Sequence, residues 1–186
     1  MGQPLSNTAY VILGLLDAKA RTGYEIKQTV DNTTRFFWAA SYGQIYPELR
    51  RLADAGLVES ERDKASGRGR TMHRITRAGR EALRAWLAEP AAVTEYRDEK
   101  LLKLFFSGSA RGDAAERAAG SGALDARAAE HAEVADRLRG LEPAVIAGGD
   151  RYKLAVLRYG IELNEWGARY CERAAAEIER EQRESA

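Results

Sequence analysis

The chain has 186 residues, 45% of them hydrophobic and 31% charged, which is room for one large domain or two small ones and enough apolar content for a buried core. With 29 Lys+Arg against 28 Asp+Glu the net charge is +1, so a wholly basic nucleic-acid tail and an acidic disordered chain are both excluded. The longest apolar run, Ala9 to Leu16, falls far short of the ~20 residues that span a bilayer. No basic stretch precedes it and Asp17 closes it, so neither a membrane helix nor a signal peptide is expected and the protein reads as cytoplasmic. The single Cys171 excludes an intramolecular disulfide and a Cys-based zinc cluster.

Ser6 or Asn7 caps a first helix over 6–18, where Ala9, Val11, Ile12, Leu15 and Leu16 recur with helical spacing. After a break at Lys19-Ala20-Arg21, Thr22 and Glu25 form a capping box that opens a short amphipathic helix to about Asp31–Asn32. Tyr24, Ile26 and Val30 are its core candidates. Phe36, Phe37 and Trp38 fall in a connection, where an aromatic lid or a dimer contact is expected.

Ser41 caps a third helix with Ile45, Leu49 and Leu52 as its buried stripe, and Gly56 ends it. Pro47 is tolerated only near a helix start, so this helix begins near Tyr42–Gln44 or tightens there. Residues 57–62 and 71–75 have extended character and are joined by Ser66-Gly67-Arg68-Gly69-Arg70, a β-hairpin with a glycine-rich basic tip. Thr76 caps a fourth helix, stopped by Pro90, with Leu83, Trp86 and Leu87 as its apolar face.

Three helices, a hairpin and a helix within about 85 residues is the winged helix-turn-helix layout, with the third helix in the recognition position and the hairpin as the wing. The charge agrees with it. Residues 1–90 carry 14 basic and 10 acidic side chains, whereas residues 91–186 carry 15 and 18. The segment 64–80 has six basic residues (Lys64, Arg68, Arg70, Arg74, Arg77, Arg80) and no acidic one, the footprint of phosphate contact, and it falls on the wing.

The remainder is helical: a short apolar helix over 98–106, an Ala-rich one from about Arg111 to Arg139 with Leu124, Ala128, Val134 and Leu138 as a weak seam, a turn region over 140–149, and a last helix from Asp150 to Arg183. On that last helix Tyr152, Val156, Tyr159, Leu163, Trp166 and Tyr170 are spaced 4, 3, 4, 3, 4, a heptad seam. Its aromatics are too large to leave in water, so the seam is read as a homodimer face, with packing on the 111–139 helix as the other reading. The fold class is thus mainly α with a small β-hairpin wing. Residues 1–90 form a winged helix-turn-helix DNA-binding domain and residues 91–186 a helical dimerisation domain, to which the family resemblance given below adds effector binding.

The segments AYVILGLLDAKARTGYEIKQTV, SYGQIYPELRRLADAGLVES, GRGRTMHRITRAGREALRAWLAEP and RDEKLLKLFF together resemble the PadR-type transcriptional regulators, closely over residues 5–106 and in layout over 107–186. The motifs "GYEI", "GQIYPELRRL…GL" and "T-x-x-G-x-x-x-L-x-x-W-L" arrive in the family's order and spacing. Family members usually carry Lys-Tyr-Tyr or similar in the second wing strand, where this chain has Thr71-Met72-His73. The resemblance implies a homodimer on double-stranded DNA at an inverted-repeat operator, usually a repressor, often released by a small aromatic effector.

In this layout the start of the third helix faces base edges and flanking groups hold phosphates. Gln44 suits an adenine edge; Ser41 and Tyr46 suit phosphate oxygens, Tyr46 having a core position as its other reading; Tyr42 shares the same turn. Arg50 reaches the backbone one turn later, while Arg51 reads rather as solvated. Lys27 is a phosphate candidate on the preceding helix, and Arg68 and Arg70 flank Gly69 at the wing tip. Trp86, Tyr159 and Trp166, with Trp38, are the aromatic candidates for an effector.

No phosphate-binding glycine motif or nucleophile elbow is present, and His73 and His131 lie 58 positions apart without metal spacing. No enzyme activity, cofactor or metal is expected. The alternatives are a winged-helix protein-interaction module, which would tend to lose the basic wing, and a redox sensor acting through Cys171 across a dimer axis.

Overall fold

The computed structural model describes residues 5–62, 70–91, 97–107 and 114–184, with the stretch 114–121 as helix backbone only. The chain divides into two compact units, Met1–Val93 and Thr94–Ala186.

The first unit runs α1 (Asn7–Ala18), β1 (Arg21–Thr22), α2 (Gly23–Asn32), a 3₁₀ turn (Thr34–Phe36), α3 (Tyr42–Asp54), β2 (Val58–Arg62), β3 (Thr71–Ile75) and α4 (Arg77–Ala88). Local capping chemistry starts its helices. Ser6 Oγ accepts from Ala9 N–H, Thr22 and Glu25 close a reciprocal box, and Thr76 Oγ1 accepts from Gly79 N–H. Gly56, at φ 71°, takes the left-handed turn after α3. Ile12, Leu13, Ile26, Val30, Ile45, Leu49 and Leu52 are fully buried, so α1, α2 and α3 share one aliphatic core closed by Val58, Ile75 and Leu83.

Two expectations are corrected here. Tyr24 is 57% exposed and lies outside the core, and Leu87 is likewise exposed. The break at Lys19-Ala20-Arg21 contains β1, which pairs antiparallel with β3 (Arg21 opposite His73), so the sheet has three strands in the order β1-β3-β2. Two residues carry no periodicity, and β1 exists only because β3 supplies its partner. Pro47 sits in the second turn of a continuous α3.

The fourth helix owes its seat to Gly79. A Cβ there would lie 2.2 Å from the Leu57 carbonyl oxygen and 2.8 Å from Ile75 Cγ1, so only glycine lets α4 rest on that backbone. Thr76 Oγ1 also donates to the Gly56 carbonyl, which ties the cap of α4 to the end of α3.

The second unit holds α5 (Glu99–Ser107), α6 (Ala114–Ala147) and α7 (Arg151–Glu184). The sixth helix runs through Gly140 and Pro143 to Ala147, where a turn had been expected from 140; the turn is confined to Gly148-Gly149, with Gly149 at φ 70°. Asp150 Oδ1 then accepts from the N–H groups of Tyr152 and Lys153 and starts α7. The two long helices pack antiparallel through a small-residue face on α7. Leu157, Ile161, Gly167, Cys171 and Ala175 are buried, facing Leu124, Ala128, Ala135 and Leu138. A Cβ on Gly167 would lie 2.9 Å from the His131 ring, whose Nδ1 is 2.8 Å from Asn164 Oδ1. Asp98 caps α5 and forms a two-pronged ion pair with Arg127 of α6 at 2.6 and 3.1 Å, both side chains nearly buried.

Candidate nucleic-acid interface

The start of α3 presents an aromatic and polar face. Tyr42 and Tyr46, one turn apart, stack with centroids 6.1 Å apart, and both are over 40% exposed. Tyr46 lies along the first turn of α2: a Cβ on Gly23 would come 2.7 Å from its Cε1, so Gly23 makes room for the ring. Tyr46 therefore has one face on α2 and the other toward Tyr42.

Gln44 is exposed, but its Oε1 is occupied. It accepts from Ser41 N–H at 2.9 Å and from Ser41 Oγ at 3.2 Å, closing the N-terminal cap of α3. A bidentate adenine contact needs that same oxygen as an acceptor. Ser41 is thus engaged in the cap, and base reading by Gln44 would compete with it.

Lys27 leans inward from α2. It pairs with Asp31, and its Nζ stands 5.4 Å from the Tyr42 ring centroid, within cation–π range. That hydrogen bond is the main reason Asp31 titrates below the ordinary carboxylate value. Arg50 is exposed and makes no ion pair among the described residues, whereas Arg51 pairs with Glu48 at 3.3 Å. Glu48 was not among the sequence candidates. Its carboxylate is buried beneath α3 and accepts from Ser6 Oγ at 3.1 Å, so it links α3 to the cap of α1. The helical register alone marks it, since it follows Ile45 by three and precedes Leu52 by four.

On the wing, Arg70, Met72 and Arg74 fall on one face of the β3 line and Thr71, His73 and Ile75 on the other. Arg70 and Arg74 are exposed and make no ion pair among the described residues. Glu59 and Glu61 of β2 stand opposite Arg74 and Met72, which offsets the positive charge along the strands, while Arg62 and Arg70 lie at the tip end. Arg68 lies outside the described residues. His73 is buried with Nδ1 2.8 Å from Ser60 Oγ, and burial pushes its pKa below the ordinary imidazole value.

The remaining candidates fall elsewhere. Tyr152, Val156, Tyr159, Leu163, Trp166 and Tyr170 are all exposed along one side of α7, between 43% and 79%. Trp166 and Tyr170 stack at 5.4 Å. Trp86 belongs to the first unit, where it stacks on Tyr10 at 4.5 Å and 8°, so one face of its indole is taken. Trp38 is partly exposed after the 3₁₀ turn. The second unit contains a recess of about 590 Å³ lined by Arg97, Asp98, Lys100, Arg127, His131 and Asn164 among others. A smaller one of about 350 Å³ adjoins it, lined by Leu101, Leu104 and Leu124. None of the four aromatic effector candidates lines either recess. Among the described residues no group of three or more His, Cys, Asp or Glu is placed to hold a metal, and no helix is long and apolar enough to cross a membrane.

A three-helix core, a three-stranded sheet ending in a basic hairpin, and a helix whose first turn points outward define a winged helix-turn-helix protein. Comparison with known proteins carries this further. The profile of the Transcriptional regulator PadR-like family matches residues 12–85, and that of the Virulence activator alpha C-term family matches residues 96–179. The negative transcriptional regulator PadR of Bacillus subtilis is 33% identical over 99 residues, 52% of this chain; the chain spans about half of that relative's length, 54%. The Mycobacterium tuberculosis protein Rv1176c is 29% identical over 172 residues, covering 84% of this chain and 89% of that one. The crystal structure of Bacillus subtilis PadR with operator DNA superposes with a TM-score of 0.82 at 26% identity, over 95% of this chain and 99% of that one. The same protein with p-coumaric acid gives 0.73 at 25% identity, over 96% and 99%. This chain belongs to the PadR-like family of transcriptional regulators.

Proposed function

We propose that the protein is a homodimeric repressor that binds double-stranded DNA at an inverted-repeat operator and releases it when a small aromatic compound binds. It acts without cofactor and without catalysis, in the cytoplasm, with residues 1–90 as the DNA-binding domain and residues 91–186 as the dimerisation and effector domain. The reading rests chiefly on one observation: the first turn of α3 carries exposed Tyr42, Gln44 and Tyr46, with exposed Arg50, which makes no ion pair among the described residues, behind them and Arg70 and Arg74 on the adjoining hairpin. Such a set joins groups able to meet base edges with cations able to meet phosphates. Arg68 extends the cationic set by sequence. The solved complex of Bacillus subtilis PadR with operator DNA supports the same use of this fold.

The exposed seam of α7 supports the dimer, because six large apolar side chains on one heptad stripe are costly to leave hydrated. Two copies of the wing and recognition helix, related by a two-fold axis, would then meet two half-sites. Repression follows the name of the Bacillus relative, a negative regulator. The effector reading is supported by that relative's complex with p-coumaric acid, an aromatic ring bearing a carboxylate. In this chain the sequence candidates Trp86, Tyr159 and Trp166 line neither recess of the second unit, so the effector reading rests instead on those two adjoining recesses, one lined by charged residues of both signs and the other by leucines among others.

Fluorescence anisotropy against the DNA upstream of the protein's own gene, with a scrambled duplex as control, tests the whole reading. A preference of ~10³-fold or more is expected of a specific regulator. Equal, salt-sensitive binding to both duplexes at every salt concentration would remove self-directed operator binding. Titrating p-coumaric acid into the same complex is expected to lower the anisotropy.

A further inference from the structure

We propose that Lys27 is a positioning residue, and that Tyr42, the side chain it holds, reads a thymine in the operator. The inference rests on the DNA-binding reading above and names which residue does the reading. Lys27 is the one cation of the helix pair turned inward, its side chain only 12% exposed. Asp31 neutralises its charge, and the ammonium lies 5.4 Å from the Tyr42 ring centroid. A lysine so enclosed is poorly disposed to grip a phosphate. It is well disposed to fix an aromatic ring.

Tyr42 has a second partner. Tyr46 stacks on it at 6.1 Å, and Tyr46 is itself seated against Gly23. The chain of contacts Asp31–Lys27–Tyr42–Tyr46–Gly23 therefore spans α2 and α3 and holds at its middle a ring that is 45% exposed at the first residue of the recognition helix. Gln44 has committed its carbonyl oxygen to Ser41 twice over. Of the side chains in that turn, Tyr42 and Tyr46 can be used without breaking a hydrogen bond among the described residues, and Tyr46 is the one packed against Gly23 of α2, which leaves Tyr42 to do the reading.

Among the features of the major groove, the thymine methyl is the one that an apolar ring recognises. Deoxyuridine differs from thymidine only in lacking that methyl, so scanning the operator with single thymine-to-uracil replacements isolates it. With wild-type protein, one position per half-site is expected to lose about fourfold in affinity, the worth of one buried methyl. Tyr42→Ala is expected to abolish that uracil sensitivity. Lys27→Met keeps the stem and removes the charge; it is expected to weaken the uracil sensitivity while leaving the slope of log affinity against log salt unchanged, and Lys27→Arg to restore it.

A salt slope that falls by about one in Lys27→Met, with uracil sensitivity intact, would make Lys27 a phosphate contact and overturn the proposal. So would an operator without any uracil-sensitive position. Both of those results leave operator binding standing. Wild-type protein that binds operator and scrambled duplex equally defeats the DNA-reading function and the proposal together.

Discussion

The two units solve the same problem of burying apolar surface by opposite means. The first closes on itself: seven aliphatic side chains from α1, α2 and α3 are fully excluded from water, and the sheet and α4 cap them. In the second, α6 and α7 meet through Gly167, Ala168, Cys171 and Ala175, while Tyr152, Tyr159 and Trp166 stay outside with Phe105 and Phe106 of α5. Small residues let the long helices approach closely, but they bury little area per residue. The large side chains that would bury more are turned to a surface. The second unit thus leaves a stripe of large apolar side chains exposed, whereas the first buries its own. That contrast is what the proposed dimer would use: a preformed surface in one unit, an uncovered seam in the other.

The comparison predicts where each unit is most easily broken. Gly79→Ala puts a methyl 2.2 Å from the Leu57 carbonyl oxygen, a backbone atom that cannot swing aside. We expect a loss of roughly 3 kcal/mol, the upper end of overpacking costs, read as a drop in the urea midpoint. A variant within ~0.5 kcal/mol of the parent would mean that α4 is not seated on that backbone. Trp166→Glu should do the reverse in the second unit, leaving the helical circular dichroism unchanged while dissociating the dimer. Sedimentation velocity reads the outcome, and a variant that sediments like the parent would move the interface off α7.

Much of the first unit was legible because its signals are local. Thr22, Ser41 and Thr76 announce helix starts, Gly56 a helix end, and Ile45, Leu49 and Leu52 a buried stripe, all within a few residues of the feature they specify. What escaped depended on distant partners. The strand Arg21–Thr22 is specified by β3, some fifty residues away. Gly140 and Pro143 read as a break, yet α6 continues past them, with Glu142 paired to Arg158 of α7 at 2.8 Å. On α7 the aromatic stripe stood out, whereas the buried stripe beyond Leu157 and Ile161 is built of Gly, Ala and Cys, which carry little hydrophobic signal. At the interface, the positions of Tyr42, Gln44 and Tyr46 were readable from the helix register. That Gln44 is spent on a cap and Lys27 on an ion pair was not, because both are choices among side-chain partners that spacing leaves open.

A pair of glycine substitutions sharpens the contrast within the second unit. Gly167→Ala drives a methyl to 2.9 Å from the His131 ring and displaces it from Asn164, at an expected cost of about 1–2 kcal/mol, less than at Gly79 because a side chain can yield. Gly140→Ala meets nothing within 4 Å in the continuing part of α6. There the helix propensity of alanine acts alone, and stability should rise by about 0.5–1 kcal/mol. Urea midpoints of the two variants should therefore shift in opposite directions. If Gly140→Ala destabilises instead, α6 breaks where the sequence suggested.

The smallest effect concerns pH, and it turns on a buried histidine that sets the first unit apart. In the first, His73 is buried on the inner face of β3, and desolvation holds its pKa below the ordinary imidazole value. An unfolded imidazole binds its proton near pH 6.5, so below that point the unfolded chain takes up more protons than the folded one. Stability must then fall as the pH drops from about 6.5 toward the folded value of His73. The perturbed groups of the second unit, Glu99, Glu130 and Asp150, are all carboxylates lowered chiefly by hydrogen bonds from Lys103, Lys100 and Lys153. Glu25 and Asp31 of the first unit are lowered as well. The stabilisation from these five is lost only as the pH falls below the ordinary carboxylate range, a window separate from that of His73. Urea midpoints measured at pH 7.0 and 5.5 should accordingly decline for the parent and stay level for His73→Gln, which keeps a polar partner for Ser60 but does not titrate. A parallel decline in both proteins would place the acid sensitivity in the carboxylates and leave the buried histidine of the wing without a share in it.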